Sequence, residues 1–219
     1  MRKNSHISMI KMKYKSNIFA NTAYILIDAF TNSPIINIER IIPVFSDRCE
    51  AEAISINNRR YRIASYIKSI EKNDVQRYLF FLKNAYNAEI EYHTNDDYFM
   101  IDPCGKPLFE DSIATNPNLL YTLTLLAQQE RNTGINYPEK NLIVQKLRDD
   151  VKDNMACAKV CVPKKENRII YVYDQNGESA IPFFTDSFHF RYAYPDPDIV
   201  MPTILKQFLI MEIDHNKAK

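Results

Sequence analysis

The chain has 219 residues, with 28 Lys and Arg against 27 Asp and Glu, a formal net charge of +1. That length supports one large domain or two small ones with a real core, and the balanced charge lacks the strong basic excess that points to nucleic acid. Only three residues are glycine, where about 7% is usual, which argues against the phosphate-cradling loops of P-loop and dinucleotide-binding proteins.

Residues 1–20 read as a basic tail, because Arg2, Lys3, Lys11, Lys13 and Lys15 all precede the first acid, Asp28. Two readings of it stand: a solvated arm, or an arm that docks on an anionic surface. A secretory signal needs an apolar run of about 7 to 15 residues, and Ile7–Ile10 is too short. No stretch approaches the ~20 apolar residues of a membrane span. A cytoplasmic location is expected. The cysteines, Cys49, Cys104, Cys157 and Cys161, form no CxxC pair. Cys157 and Cys161 would lie roughly 13 Å apart on a strand, too far for one disulfide or metal. The general reading of the cysteines is as small buried hydrophobes in a reducing compartment.

Ala23–Phe30 is rich in strand formers, and Thr31-Asn32-Ser33-Pro34 is a turn cluster. Ile35–Ile42 continues extended into Pro43-Val44-Phe45-Ser46-Asp47. Pro43 cannot donate to a ladder, so it belongs at an edge, a strand end or a bulge. Tyr61–Glu71 places Ile63, Tyr66, Ile67 and Ile70 on one helical face. Asn73-Asp74-Val75-Gln76 resembles a capping box for a helix to about Tyr86, with Val75, Tyr78, Leu79, Leu82 and Tyr86 as its stripe. Ala88–His93 alternates as a strand, Asn95-Asp96-Asp97 turns, and Tyr98–Ile101 returns, which predicts a hairpin.

Asn116 and Pro117 suit the cap and first position of a helix with Leu119, Leu120, Leu123 and Leu126 inward. Pro138 opens another through about Asn154, with Leu142, Ile143, Leu147 and Val151 inward. Strands follow at Ala158–Pro163, Arg168–Asp174 and Ala180–Thr185. Asn176-Gly177 is a two-residue turn signal. Pro195-Asp196-Pro197-Asp198 is a stiff acidic loop, and Pro202 starts a last helix with Ile204, Leu205, Phe208 and Leu209 inward. The expected fold is α+β: mixed or antiparallel sheet covered by helices.

Two segments match. Ile42-Pro43-Val44-Phe45-Ser46-Asp47 parallels Ile181-Pro182-Phe183-Phe184-Thr185-Asp186. Each follows a Tyr-led apolar strand, Tyr24–Asp28 and Tyr171–Asp174, and an amphipathic helix is expected some twenty residues after each. The division expected is a tail over 1–20 and two related units over 21–112 and 116–219. The second unit, with its leading helix pair, Val160-Cys161-Val162-Pro163, the Asn176-Gly177 turn and Ile181–Asp186, resembles the N-terminal domain of the SseB family of bacterial proteins. Tyr98–Pro103 has the look of that family's closing strand in the first unit. The second unit departs from the pattern because no closing strand is evident before Lys219, and the first because no helix pair precedes Tyr24. The resemblance implies an α+β domain without an established catalytic site, in accessory or interaction roles.

The chemistry points the same way. His6, His93, His189 and His215 show no two-His metal spacing, and no cofactor or metal is expected. Cys104, beside Lys106, is the best candidate for an exposed thiol. Asp96, Asp97 and Asp102 read as a turn, Asp149, Asp150 and Asp153 as a solvated helix face. Asp47 and Asp186 suit bonds to the following backbone, or polar contacts at a binding face. In Phe188–Tyr194 every second residue is aromatic; the reading divides between a core strand and an exposed ledge of Phe190, Tyr192 and Tyr194 beside Asp196 and Asp198. Tyrosine gives contact area at low entropy cost. The leading expectation is a non-enzymatic protein-binding module with another protein, not nucleic acid, as partner. The alternative is a cysteine- or carboxylate-based hydrolase joining Cys104 or Asp102 to His93 or His189.

Overall fold

The hydrophobic run Ala23–Asp28 is the strand on which the first sheet is built. In the computed structural model, which describes residues 21–95, 97–105, 116–132, 137–165, 168–173, 175–184, 190, 193–194 and 200–204, it is β1. The architecture is α+β. The elements are β1 (Ala23–Asp28), β2 (Ile41–Phe45), α1 (Arg48–Arg60), β3 (Ser65–Ile70), α2 (Val75–Tyr86), β4 (Glu89–Thr94), β5 (Asp97–Ile101), α3 (Pro117–Arg131), α4 (Tyr137–Ala156), β6 (Lys159–Lys165), β7 (Arg168–Ile169), β8 (Val172–Tyr173), β9 (Ser179–Ala180) and β10 (Val200–Ile204). No helix among the described residues is long and apolar enough to cross a membrane.

The chain divides into two units, Met1–Leu108 with Tyr121–Leu147, and Phe109–Leu120 with Arg148–Lys219. The first holds a five-stranded sheet in the order β3-β1-β2-β4-β5. β1 runs antiparallel to β2 and β3, while β2 and β4 are parallel. Alternation along the strands sorts the side chains. Tyr24 and Leu26 share a face with Phe45 and Ile67, where Ala51 of α1 packs. Ile25, Val44 and Tyr92 fall on the opposite face through the pairs Ile25–Val44 and Val44–Tyr92. Lys68, out of phase with Ile67, lies with its ammonium 4.5 Å from the Tyr78 ring centre of α2, so α1 and α2 cover opposite faces. Right-handed crossovers that leave β3 and β2 in opposite directions require this.

Pro43 sits inside a central strand, and the pairing explains how. It opposes Glu91 in β4, but β2 pairs with β1 only at Phe45 and Val44. Beyond that point β1 takes its partners from the turn segment, through Ile35 N–H to Leu26 O and Asp28 N–H to Ser33 O. The missing donor falls where the ladder changes hands.

Several expectations are corrected. Ser65–Ile70, expected as helix, is β3; full-length pairing with β1 overrides a pattern that fits helical spacing. The capping box before α2 is not made: Asp74 gives no side-chain cap, and Gln76 instead donates to the Cys104 carbonyl at 2.6 Å. The Asn116 side chain exchanges hydrogen bonds with the backbone of Lys159, and Pro117 takes the first position of α3. Helix α3 turns Leu123 outward and buries Tyr121, Leu125 and Gln128. The Gln128 amide clamps the chain before β2, donating to Pro34 O at 3.0 Å and accepting from Ile36 N–H at 3.3 Å. In α4, Leu142 is exposed, while Val144 and Leu147 are buried. Cys104 is exposed, as expected of the best thiol candidate; Cys49 and Cys157 are exposed as well, and Cys161 alone among the four is buried.

In the second unit, Leu119, Ala158, Val160 and Val162 form a core with Val151, Met155, Ile169 and Ile181. β6 pairs antiparallel with β10 along its length and with β7 at its end. Pro202, expected to open a helix, lies in β10 opposite Cys161; residues 205–219 lie outside the described residues. Tyr173 pairs with Ser179, so the connection around Asn176-Gly177 is longer than two residues. Gly177 takes a φ of 82° there, which only glycine adopts freely.

One ionic link ties α2 to the hairpin. The Lys83 ammonium lies 2.7 Å from Asp102 and 3.8 Å from Glu89. The hydrogen bond to Asp102 raises the Lys83 pKa above its ordinary value, and burial raises that of Tyr92. Both groups hold their protons more tightly folded than unfolded. Their stabilisation is full below the unfolded values, about 10 for both, and is lost as pH rises through the folded ones. Stability is expected to fall above that pH, and less steeply in Tyr92→Phe; denaturation midpoints across alkaline pH check this, and an unchanged slope in the variant contradicts it.

Candidate functional site

The site is built where β2 ends and α1 begins. Asp47 has extended backbone and its carboxylate accepts from Cys49 N–H at 3.1 Å, an N-cap worth about 1 kcal/mol. This is the structural role expected of it. Helix α1 starts at once, not some twenty residues on, and brings Glu50 in its first turn over the sheet. Register carries one row of side chains across the strands: Tyr24 opposite Phe45, Phe45 opposite His93, and His93 opposite Tyr98. The His93 ring lies 4.9 Å from Phe45 and is stacked at 5.7 Å on Tyr98. Ser46 N–H donates to the His93 carbonyl at 2.9 Å and extends the β2–β4 ladder.

Two carboxylates hold the imidazole from opposite sides. Glu91 Oε1 is 2.7 Å from Nε2, and Glu50 Oε1 is 3.5 Å from Nδ1. Glu91 is at hydrogen-bonding distance of the ring, whereas the Glu50 contact is longer and its second oxygen, Oε2, is buried without a hydrogen-bond partner among the described residues. The arrangement joins α1 to the β4–β5 hairpin. It leaves neither ring nitrogen facing an open position, as a general base requires. Glu50 and Glu91 approach different nitrogens, so they do not converge on one ion with the ring. Among the described residues no group of three or more His, Cys, Asp and Glu is arranged to hold a metal.

Beside this cluster the sheet face is open. Ala51 covers the β1–β2–β3 part, but Tyr98 is 62% exposed and Met100 44%. Met100 stands opposite Glu91, so an apolar ledge lies against a His–Glu pair. Nothing in the sequence pattern singled out this ledge, since Tyr98 and Phe99 read equally well as inward. Glu50 had one signal, the Asp47…Glu50 spacing of a capping box.

The sequence-based candidates fare differently. Phe190 does not form an exposed ledge: it is fully buried, with Cys161 as its buried neighbour and Phe184 and Tyr194 against it. The reason is local. Tyr194 N–H donates to Phe190 O at 2.8 Å, a helical-turn bond that brings residues four apart to one side. Their rings stack at 5.6 Å, with Phe184 edge-on to both. Tyr192, Asp186, Asp196 and Asp198 lie outside the described residues, as does His189. Cys104 and Asp102 do not meet His93. They follow the far end of β5, about 13 Å of strand from Tyr98, and Cys104 Sγ accepts from Gln76 at 3.2 Å.

No protein family and no curated protein matches the chain. Among solved structures, Anabaena Tic22 (protein transport) aligns over 93% of this chain and 86% of its own, with 10% sequence identity and a TM-score of 0.25. A likeness that low carries no argument.

Proposed function

We propose that the chain is a non-enzymatic protein-binding module, an accessory, chaperone-like or immunity-type factor of the bacterial cytoplasm. The observation that carries this reading is the open ledge of Tyr98 and Met100 beside α1. Aromatic residues and methionine are enriched at protein contacts, and here one of each stands exposed on the same strand face. The His93–Glu91–Glu50 cluster stiffens the floor of that ledge and fixes α1 at its side.

The proposal includes the kinship of the two units to each other and to the SseB-like pattern. Support comes from their hydrogen-bond register. In the first unit, β1 meets Phe45 of β2 at Tyr24, Pro34 at Ile27, and β3 along its other edge. In the second, β6 meets Phe184 at Cys161, Ile169 at Lys164, and β10 along its other edge. Phe45 and Phe184 hold the same place in the matched hexapeptides. The strand equivalent to β1 is then β6, not the Tyr171–Asp174 segment.

The test is affinity capture from native lysate with two baits, the wild type and Tyr98→Asp/Met100→Asp, both first checked for folding. A stoichiometric partner held by the first and lost by the second is expected. A partner retained equally by both baits refutes the ledge as the binding face.

A further inference from the structure

We propose that the free edge of β3 is a second docking site, one that takes an acidic, extended protein segment as an additional strand. This rests on the protein-binding reading and names the chemistry of a partner, at the opposite edge of the sheet from the Tyr98–Met100 ledge.

The backbone supplies the first argument. β3 is an outer strand. Ala29 N–H donates to Ala64 O at 2.9 Å, and antiparallel pairs alternate between bonded and non-bonded. In the register that follows, Tyr66, Lys68 and Ile70 bond inward to β1. The N–H and C=O groups of Ser65, Ile67 and Ser69 therefore point outward. Ser55 Oγ donates to the Ser65 carbonyl at 3.2 Å. The main-chain groups of Ile67 and Ser69 meet no partner among the described residues. Two successive outward residues, each with a donor and an acceptor, are what an added strand pairs with.

The side chains supply the second argument. From residue 59 to 72 the cations are Arg59, Arg60, Arg62, Lys68 and Lys72, and the only acid is Glu71. All five cations are exposed, and none pairs with a carboxylate among the described residues. They flank the edge at both ends and in its middle, along a strand of roughly 20 Å. Lys68 rests on the Tyr78 ring, which orients its stem across the sheet. A lysine on an edge strand also discourages pairing with neutral strands, so the charge selects an acidic one.

Phosphate offers no donors for the Ile67 and Ser69 carbonyls, whereas a peptide backbone offers both donors and acceptors. A second copy offers the β5 edge between Asp97 and Asp102, but β3-to-β5 pairing between copies is head-to-tail and generates an open filament unless its rotation closes a ring. An acidic segment of another protein fits both the backbone and the charge.

The test uses the full chain and three probes: a short peptide alternating Glu and Val, one alternating Glu and Pro, and oligothymidylate. The Glu–Val peptide is expected to bind, and the Glu–Pro peptide, equal in charge but without the proline N–H, to bind about tenfold more weakly or worse. Lys68→Glu and Ser69→Pro are each expected to cost about tenfold, the second without change of charge; circular dichroism checks that both fold, and Lys68→Gln serves if Lys68→Glu does not. Equal binding of the two peptides overturns strand addition. Oligothymidylate binding with both peptides silent overturns the choice of partner. Self-association lost in Lys68→Glu overturns it in favour of a second copy. Silence of all three probes overturns the edge as a site, while the capture experiment on Tyr98 and Met100 still decides the protein-binding reading.

Discussion

Phe45→Ala is expected to destabilise the first unit by about 3–5 kcal/mol, the usual loss for truncating a buried phenylalanine. Phe45 is 1% exposed and packs with Leu26 and Ala51. Its neighbours sit on regular strand and helix backbone and have little freedom to collapse into the space, so the cavity term adds to the lost burial. The ring also backs His93. The same variant is therefore expected to loosen the His93–Glu50 contact and raise exchange at the start of α1. Denaturant midpoints give the stability change, provided the slope is unchanged. A loss under about 1 kcal/mol contradicts the placement of Phe45 at the centre of this core.

Asp28→Ala is expected to cost a similar amount, about 3–5 kcal/mol, for a different reason. Asp28 is fully buried. One carboxylate oxygen accepts from the N–H groups of Phe30 at 2.8 Å and Thr31 at 3.4 Å, and the other pairs with Arg131. The guanidinium also stands over the Phe30 ring, 4.7 Å from its centre. Removing the carboxylate leaves two turn amides and a mostly buried cation without their acceptor, and Arg131 Nε is already buried without a partner among the described residues. Asp28→Asn keeps an acceptor for the turn and is expected to cost less. Adding Arg131→Met to Asp28→Ala is expected to recover part of the loss, because the stranded charge is then gone. Additive losses in that cycle contradict a coupled pair.

Legibility in the sequence followed how locally each element is determined. The hairpin of β4 and β5 and the helix α2 were readable because alternation or a helical stripe coincides with the buried face: Ile90 and Tyr92, then Val75, Leu79, Leu82 and Tyr86, are all buried. Helix α1 was not, because its inward positions are the small residues Ala51 and Ser55, while Ile54 and Ile56 point to solvent. β3 carried a helix-like spacing that long-range pairing with β1 overrode. In α3 the buried face holds Gln128 and Gln129, whose burial depends on backbone groups some ninety residues away in the case of Gln128. The candidate site was half legible for the same reason. His93 was visible as the end of a strand; its partner Glu50 reaches it only through the β2–β4 register and the path of α1.

Hydrogen exchange on the chain alone and in complex with its captured partner tests the central claim most directly. Slowed exchange in Asp97–Ile101 and in the first turn of α1, with the core of the second unit unchanged, is the predicted result. Protection confined to residues outside the first sheet, with β5 exchanging as in the free chain, would contradict a binding face at Tyr98 and Met100.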